Sequence, residues 1–343
     1  MRLQYEPRQT ESAGGESIPP AAILRTVQKL VLVLVAAAVL APPAAARPFL
    51  GVLGGQARFR TLTGQRSTVG HIIIGWNQGY SWGMPLARLI PQYGPMPMLG
   101  IGTSSWPSKR EAITPQAIAL GRGDPYLYAL NRAIAQWARP IYLRPFGEMD
   151  GHWNAYCAYT ASGRAKGTSH STAWFRRAFA RVYLLAHGGT AAQIDARLSR
   201  LGLPPVRSDL ALNPYPTLRV IWNPQAEGSP NVRGNRPQAY YPGDRYVDVV
   251  GNDIYDIGYR PQWAANERLY KAHPSKQYVF PEWGLWGIDD PGFIRTMAKF
   301  VRTHRRVEML SWFNGLNRGG TFDIATKPRS RAAYRALITP LGR

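Results

Sequence analysis

Eight short runs of β-branched and aromatic residues, separated by segments of helical periodicity, constrain the fold of this chain most strongly. The predicted strands are Phe49–Leu53, His71–Trp76, Pro97–Ile101, Ile141–Phe146, Leu218–Trp222, Tyr246–Gly251, Gln277–Phe280 and Val307–Phe313. Alternating strands and helices predict a parallel sheet, and a count of eight predicts a (β/α)8 TIM barrel. A doubly wound open sheet is the structural alternative, although no glycine-rich phosphate loop of the required form follows the first strand.

Helical periodicity is clear in five of the intervening segments and weaker after the first two strands. The predicted helices are Tyr126–Ala138, Trp174–Leu185, Ala191–Leu201, Phe293–Thr303 and Arg331–Ile338. Long loops follow the fourth strand, at Asp150–Ser171, and the fifth, at 224–245. Barrel enzymes carry their active sites on the loops at the carboxyl ends of the strands, so we expect the functional site there.

The first 46 residues have the order of a secretory leader. Arg25 and Lys29 precede an apolar run over residues 30–41, and Ala44–Ala46 provides small residues for cleavage. The run is short for a membrane span, which needs about 20 residues, but an uncleaved membrane anchor at 30–41 is the alternative. We therefore divide the chain into residues 1–46 and a catalytic domain at 47–343, and expect it to be secreted or held at the cell envelope.

The chain is strongly basic, with a formal net charge of +22. This charge raises the possibility of nucleic-acid binding, but the cations are mostly arginine, spread along the chain, and no nucleic-acid-binding motif accompanies them. We interpret them as a basic surface and expect no nucleic-acid partner. The single cysteine, Cys157, excludes an internal disulfide. The six histidines lack metal-ligand spacing, so we expect neither metal nor cofactor, and we expect a monomer.

Two glutamates stand directly after predicted strands. Glu148 follows the fourth strand and Glu282 the seventh, and both have apolar or aromatic neighbours in a chain with only 20 acidic residues. Both are therefore predicted at the carboxyl-terminal rim of the barrel. Glycoside hydrolysis with retention requires two carboxyl groups about 5–5.5 Å apart, one as nucleophile and one as acid and base. The position of the pair favours this chemistry, whereas the structural alternative for Glu148 is an ion pair with Arg144.

The motifs around these glutamates resemble those of glycoside hydrolase family 26, a family of β-mannanases and related endo-glycanases with a retaining (β/α)8 barrel. Its strand-four pattern, Arg-Pro-x-His-Glu-Met-Asn-Gly followed by Trp, is matched by Arg144, Pro145, Glu148, Met149, Gly151 and Trp153. Further similarity lies in 118–128, 221–224, 241–244, 247–248 and 251–255, and the resemblance spans about residues 49–338.

The resemblance implies a role for each matching residue. Glu148 would be the acid and base, Glu282 the nucleophile, and Tyr255 a hydrogen-bond donor to the nucleophile. Arg144 would lie beneath the pair and favour their charged forms. Trp153 and Trp312 would stack on sugar rings. Asn223, Trp222, Trp76 and His152 complete the predicted substrate-binding residues, and Trp283 is predicted at the rim.

Three departures from the family pattern bear on the substrate. Gly147 stands where the family has histidine, Asp150 stands where it has asparagine, and the region 102–106 lacks the strand-three histidine. We expect either a substrate other than mannan or reduced activity, with His152 as a replacement imidazole.

Alternatives therefore remain open at this point. The leading hypothesis is a retaining endo-β-glycanase that acts on a polysaccharide. A non-catalytic glycan-binding barrel at the cell surface is the main alternative. β-1,4-Mannan, xylan, mixed-linkage β-glucan and an exopolysaccharide, neutral or acidic, are all candidate ligands.

Overall fold

A closed barrel of eight parallel strands forms the centre of the molecule. The computed structural model describes residues 47–105, 108, 110–315 and 321–343. Its strands are β1 (Phe49–Leu53), β2 (Val69–Ile74), β3 (Met96–Ile101), β4 (Ile141–Pro145), β5 (Leu218–Trp222), β6 (Val249–Gly251), β7 (Ile254–Ile257), β8 (Gln277–Trp286) and β9 (Val307–Phe313). Strands β1 to β6 pair in sequence order, β6 pairs with β8, β8 with β9, and β9 with β1. This last set of pairings closes the barrel, so the predicted TIM barrel is confirmed and the open-sheet alternative is wrong.

Helices surround the barrel. They are α1 (Gln56–Thr63), α2 (Leu86–Leu89), α3 (Pro115–Ala119), α4 (Asp124–Trp137), α5 (Thr172–His187), α6 (Ala191–Ser199), α7 (Pro237–Tyr240), α8 (Trp263–Ala272), α9 (Pro291–Thr303) and α10 (Pro328–Leu337). The five predicted helices are α4, α5, α6, α9 and α10, with ends that differ from the prediction by at most three residues. The other five are additional: α1, α2, α3, α7 and α8. The two long loops lie where predicted, and the second contains the short helix α7.

Side chains alternate between two cores along the strands, as the two-residue period of a strand requires. An inner core fills the barrel, with Val69, Met96, Met98, Tyr142, Ile221, Val249, Val279 and Met309 as its buried members. The larger outer core lies between the strands and the helices. Buried apolar side chains thus lie on both sides of the strands, and the barrel supports the loops at its carboxyl end.

The sixth and seventh predicted strands differ most from the structure. Tyr246 belongs to a 3-10 turn at Asp244–Tyr246, so β6 begins only at Val249. Strand β8 runs ten residues to Trp286 instead of ending at Phe280, because its second half leaves the barrel and pairs in parallel with β7. This two-stranded extension rises from the barrel rim beside the predicted site.

Two of the sequence predictions fall outside the described residues. The leader or anchor over residues 1–46 is one, and Trp106 in the strand-three region is the other. Among the residues that the structure describes, no helix is long and apolar enough to cross a bilayer.

Candidate active site

Arg144 is the centre of a buried polar network at the carboxyl end of the barrel. Its Nη1 lies 2.6 Å from Glu282 Oε1, its Nη2 is hydrogen bonded to Asp253 Oδ2, and its Nε donates to Asn223 Oδ1 at 2.9 Å. Asp253 also accepts a hydrogen bond from the backbone N–H of Glu282, at 2.9 Å. Since a rigid guanidinium can hold two carboxylates and an amide at once, the network fixes where the Glu282 carboxylate lies.

Asn223 consequently has a different role from the one predicted. It is fully buried at the end of β5 and bonds Arg144, so it does not reach the open cleft where it was predicted to bind substrate. Its backbone carbonyl accepts from the N–H of Glu148 at 2.7 Å. Asn223 thus connects the two glutamates: its backbone bonds Glu148, and its side chain bonds Arg144, which holds Glu282.

The turn that carries Glu148 has an unusual backbone. Phe146 and Glu148 have positive φ values, 55° and 53°, which non-glycine residues rarely adopt. Such conformations concentrate at functional sites because the surrounding structure must hold them in place. Here the carbonyl of Gly147 accepts from the Tyr156 hydroxyl at 2.6 Å, and that of Glu148 accepts from the Asn154 side-chain amide at 2.9 Å.

Gly147 allows this turn to lie directly on the guanidinium group. A Cβ atom at this position would stand 2.6 Å from three atoms of the Arg144 side chain, a distance that real Cβ atoms do not reach. In this structure, therefore, the position that is histidine in family 26 has no room for a side chain unless Arg144 moves. The glycine at position 147 and the position of the Arg144 side chain therefore depend on each other.

The carboxylate of Glu148 is partly open to the cleft and has two side-chain donors. Trp153 Nε1 lies 2.9 Å from its Oε2, and Gln225 Nε2 lies 3.3 Å from its Oε1. The backbone N–H of Gln225 donates in turn to Asp150 Oδ1 at 2.8 Å. Asp150, the second departure from the family pattern, is fully buried and supports the loop that brings Gln225 to Glu148.

Tyr255, on β7, donates its hydroxyl to Glu282 Oε2 at 2.7 Å. Arg144 occupies the other oxygen of the same carboxylate. The geometry agrees with the predicted hydrogen bond, and β7, which the sequence analysis did not identify as a strand, positions it.

The two glutamates are driven towards opposite protonation states. Burial and the nearby Glu282 carboxylate raise the pKa of Glu148, and the opposing effects of Arg144, Trp153 and Gln225 are smaller. Burial alone would raise the pKa of Glu282, but Arg144 leads the effects that outweigh it, and the net pKa is lowered. Pairs of carboxyl groups with pKa values displaced in opposite directions are typical of acid and nucleophile assignments.

Cavities lie on both sides of these side chains. One, of about 480 Å³, contains Ile73, Gly100, Gly147, Glu148 and Glu282 in its wall. The second, of about 600 Å³, lies along Gln225, Asp253, Tyr255 and Ile257. Trp153, which is 51 % exposed, borders both. The two cavities therefore meet at Trp153, which bonds Glu148, and together form the open cleft.

The other predicted aromatic residues do not face this cleft. Trp312, Trp222, Trp283 and Trp76 are each at most 3 % exposed and belong to the outer core. Trp312 packs on Trp283 at 4.8 Å and on Tyr334 at 5.4 Å between ring centres. Strand alternation explains the error at Trp312, because Met309 points into the barrel, whereas Leu310 and Trp312 lie on the other side of β9, in the outer core. In the structure these tryptophans are core residues, and the predicted sugar contacts at Trp312, Trp222 and Trp76 are wrong for this conformation.

His152 is also displaced from its predicted role. Its Nδ1 faces Ser229 O at 3.2 Å, and its ring lies edge-on to Trp153. It does not line the cavity beside Gly147, so it does not supply an imidazole there.

His71, on β2, is a site residue that the sequence analysis missed. It is 2 % exposed, its ring nitrogens have no hydrogen-bond partner among the described residues, and burial lowers its pKa to about 3. It interacts electrostatically with both Glu282 and Arg144. Only the alternation of inward-facing and outward-facing residues along β2 could have identified it.

In the described part of the chain, no group of three or more histidine, cysteine or acidic residues is arranged to hold a metal ion.

No family profile matches the chain. A curated relative, endoglucanase H of Acetivibrio thermocellus, is 24 % identical over an alignment of 294 residues that covers 82 % of this chain and 28 % of that protein. The chain thus spans little more than a quarter of the length of that relative.

Solved structures with the same fold include several mannanases. Bacillus subtilis mannanase man26 has a TM-score of 0.54 at 15 % identity, covering 84 % of this chain and 85 % of the other. A GH26 β-mannanase from Bacteroides ovatus gives 0.54 at 16 %, covering 86 % and 89 %. A Cellulomonas fimi endo-β-1,4-mannanase gives 0.56 at 13 %, covering 86 % and 71 %.

The chain therefore shares its fold with these mannanases. The resemblance to family 26 that the sequence predicted is confirmed at the level of the fold.

Proposed function

We propose that this protein is a retaining endo-β-glycanase, with Glu148 as general acid and base and Glu282 as nucleophile. The observation that carries the proposal is geometric: Arg144 and Tyr255 hold the carboxylate of Glu282, and Glu148 lies in the wall of the same cavity, with the pKa raised at Glu148 and lowered at Glu282. An acid must hold a proton at the working pH and a nucleophile must not. The fold shared with mannanases and the similarity to an endoglucanase support the proposal.

The first step begins when Glu282 attacks the anomeric carbon from below the sugar. Arg144 and Tyr255 hold one oxygen each of its carboxylate, so the attacking group loses little freedom in the transition state. Glu148 gives its proton to the departing glycosidic oxygen. In the second step Glu148 takes a proton from water, which attacks the glycosyl ester and frees Glu282. The anomeric configuration is retained because the carbon is attacked twice.

A neutral polysaccharide suits the cleft better than an acidic one. Among the described residues that line the two cavities, the only cation is Arg144, and it is committed to two carboxylates. Glu227 is paired with Arg268, and Glu148 holds a proton in the proposed mechanism. A polyanionic glycan would find no unpaired cation among the described lining residues, so we propose a neutral β-glycan such as mannan or glucan. The predicted leader leads us also to propose that the protein is exported.

The proposal is tested by product release from neutral β-glycans with the full chain, Glu148→Gln and Glu282→Gln. We expect the wild type to release oligosaccharides and each variant to lose at least about 100-fold in kcat. Glu267→Gln is the matched control and should retain full activity, because Glu267 lies on α8, pairs with Lys271 and His304, and lines neither cavity. Unchanged cleavage by both site variants would overturn the assignment.

The second candidate function is glycan binding without cleavage, which Gly147 favours because the imidazole of family 26 is missing. It predicts that the wild type binds a β-glycan but releases no product over prolonged incubation. Turnover that depends on Glu282 would eliminate it.

A further inference from the structure

The two-stranded extension formed by β7 and the second half of β8 presents a defined face to the cleft. Tyr255 pairs with Gly284, and Ile257 pairs with Trp286, in parallel register. Side chains two residues apart lie on the same side of a strand. Tyr255 points to Glu282, since its hydroxyl bonds that carboxylate. Ile257 and Trp286 therefore lie on the same side of the extension as the nucleophile candidate.

This face is apolar and open to solvent. Trp286 is 48 % exposed and Ile257 is 55 % exposed, although each follows a buried residue in its strand. Ile257 also lines the 600 Å³ cavity that runs from Trp153. Large apolar side chains exposed beside a cleft commonly mark a binding surface. The exposed face is thus continuous with the cleft through Ile257, which lies two residues beyond Tyr255 in β7.

The indole of Trp286 is held in position by other rings. Phe322 lies 4.8 Å away at 63° and Tyr255 lies 6.3 Å away at 76°, between ring centres. Phe322 itself is 5 % exposed and rests on Phe313. Edge-to-face packing of this kind fixes a ring without covering both of its faces. A preformed platform of this type loses little conformational freedom when it binds a flat apolar surface.

We propose that Trp286 and Ile257 form a remote sugar-binding site, which takes a pyranose unit of a neutral β-linked glycan beyond the units at Glu148 and Glu282. The apolar face of the sugar would lie on the indole. This inference rests on the proposed function, because the glycan must reach the platform through the cleft. Energy from such remote contacts contributes to the reaction at the centre, so it acts on long substrates and leaves short ones unaffected.

The test compares chain lengths with the full protein. Manno- and cello-oligosaccharides of three and six units are the probes, with Trp286→Ala, Trp286→Phe and a distant control, Trp137→Ala. Trp137 ends α4, just before β4, and therefore lies at the opposite end of the barrel. We expect Trp286→Ala to lower kcat/KM about tenfold for the hexasaccharide, the value of one aromatic stack, and less than about twofold for the trisaccharide. Trp286→Phe should restore most of the loss, and Trp137→Ala should leave the ratio between the two substrates unchanged.

Equal effects of Trp286→Ala on both chain lengths, or none on either, would overturn the platform. Calorimetric binding of the hexasaccharides to Glu282→Gln, with and without Trp286→Ala, separates this result from failure of the proposed function. If the wild type cleaves nothing but binding weakens on removal of Trp286, the platform stands and the enzymatic assignment falls. If removal leaves binding unchanged, or no hexasaccharide binds, the platform is refuted.

Discussion

At the residue scale, the sequence predicted the positions of the charged residues better than those of the aromatic residues around them. Glu148, Glu282, Arg144 and Tyr255 come together as predicted, because strand ends in a barrel converge on one rim. The aromatic predictions failed, since a tryptophan near a strand end belongs to the cleft or to the outer core according to a one-residue difference in phase. A sequence motif gives the spacing of residues along a strand. Which side of the strand each residue faces also depends on bulges, such as the register shift between Phe280 and Trp283 in β8.

Gly147 gives the first prediction at this scale. Gly147→Ala should lower kcat/KM and destabilise the protein by about 1–3 kcal/mol, the cost of overpacking, because the new Cβ meets the Arg144 guanidinium at 2.6 Å. Gly147→His should be no more active than Gly147→Ala, although it restores the family residue. Kinetics on a β-glycan and denaturant unfolding measure both effects. Higher activity of Gly147→His than of the wild type would show that Arg144 yields readily.

Tyr255→Phe tests how the nucleophile is kept ionised. Loss of the hydroxyl removes a hydrogen bond to the charged form of Glu282, so the pKa of Glu282 should rise. Activity requires the ionised form and is lost as pH falls through this pKa. The acidic limb of the pH profile should therefore move to higher pH, while the alkaline limb, set by the raised pKa of Glu148, stays in place.

The same variant should lower kcat/KM by about tenfold or more, as expected for a hydrogen bond to a charged group. Profiles of kcat/KM against pH for the wild type and Tyr255→Phe provide the measurement, and Tyr259→Phe, an exposed tyrosine outside this contact, is the control. An unmoved acidic limb would mean that Tyr255 only fills space.

At the element scale, the alternation of strands and helices was predictable, but the extension of β8 was not. The run beyond Phe280 reads Pro-Glu-Trp-Gly, which contains residues that often end a strand. It stays extended because β7 supplies a parallel partner at Trp283–Trp286. That pairing joins two separate parts of the chain, so the local amino-acid composition of β8 does not predict it. Helix α8 was missed as well, since its buried face is reduced to Ala265, Asn266 and Leu269.

A buried ion pair between two helices provides the prediction at this scale. Arg181 of α5 is fully buried and bonds Asp124 of α4 through Nε at 2.7 Å and Nη2 at 2.5 Å. Asp124→Ala leaves the guanidinium buried and unpaired, so the free energy of unfolding should fall by about 3–5 kcal/mol. The double variant Asp124→Ala/Arg181→Met removes the charge as well and should be more stable than Asp124→Ala alone.

Denaturant unfolding of the three proteins measures this difference. The pair lies outside the cleft, so kcat of the folded fraction should stay unchanged. A single variant that loses less than about 1 kcal/mol would show that water reaches Arg181.

At the scale of the whole molecule, the charge is distributed in a way that composition alone conceals. The net charge of +22 suggests an affinity for polyanions. In the cleft, however, the one cation among the described lining residues, Arg144, is neutralised by Asp253 and Glu282. The basic residues therefore determine the electrostatic potential of the outer surface, whereas a substrate in the cleft meets a different potential.

Added salt distinguishes the electrostatic effect of the outer surface from that of the cleft. Interactions of exposed charges are screened within about 10 Å at 0.1 M ionic strength, whereas buried pairs such as Arg144–Glu282 are screened much less. Cleavage of a neutral β-glycan should thus change less than about twofold between about 0.05 and 0.5 M NaCl. Retention of the same protein on heparin or DNA should disappear over that range, as counterion release requires. If cleavage instead falls steeply with salt, the surface arginines help to hold the substrate, and an acidic glycan becomes the better candidate.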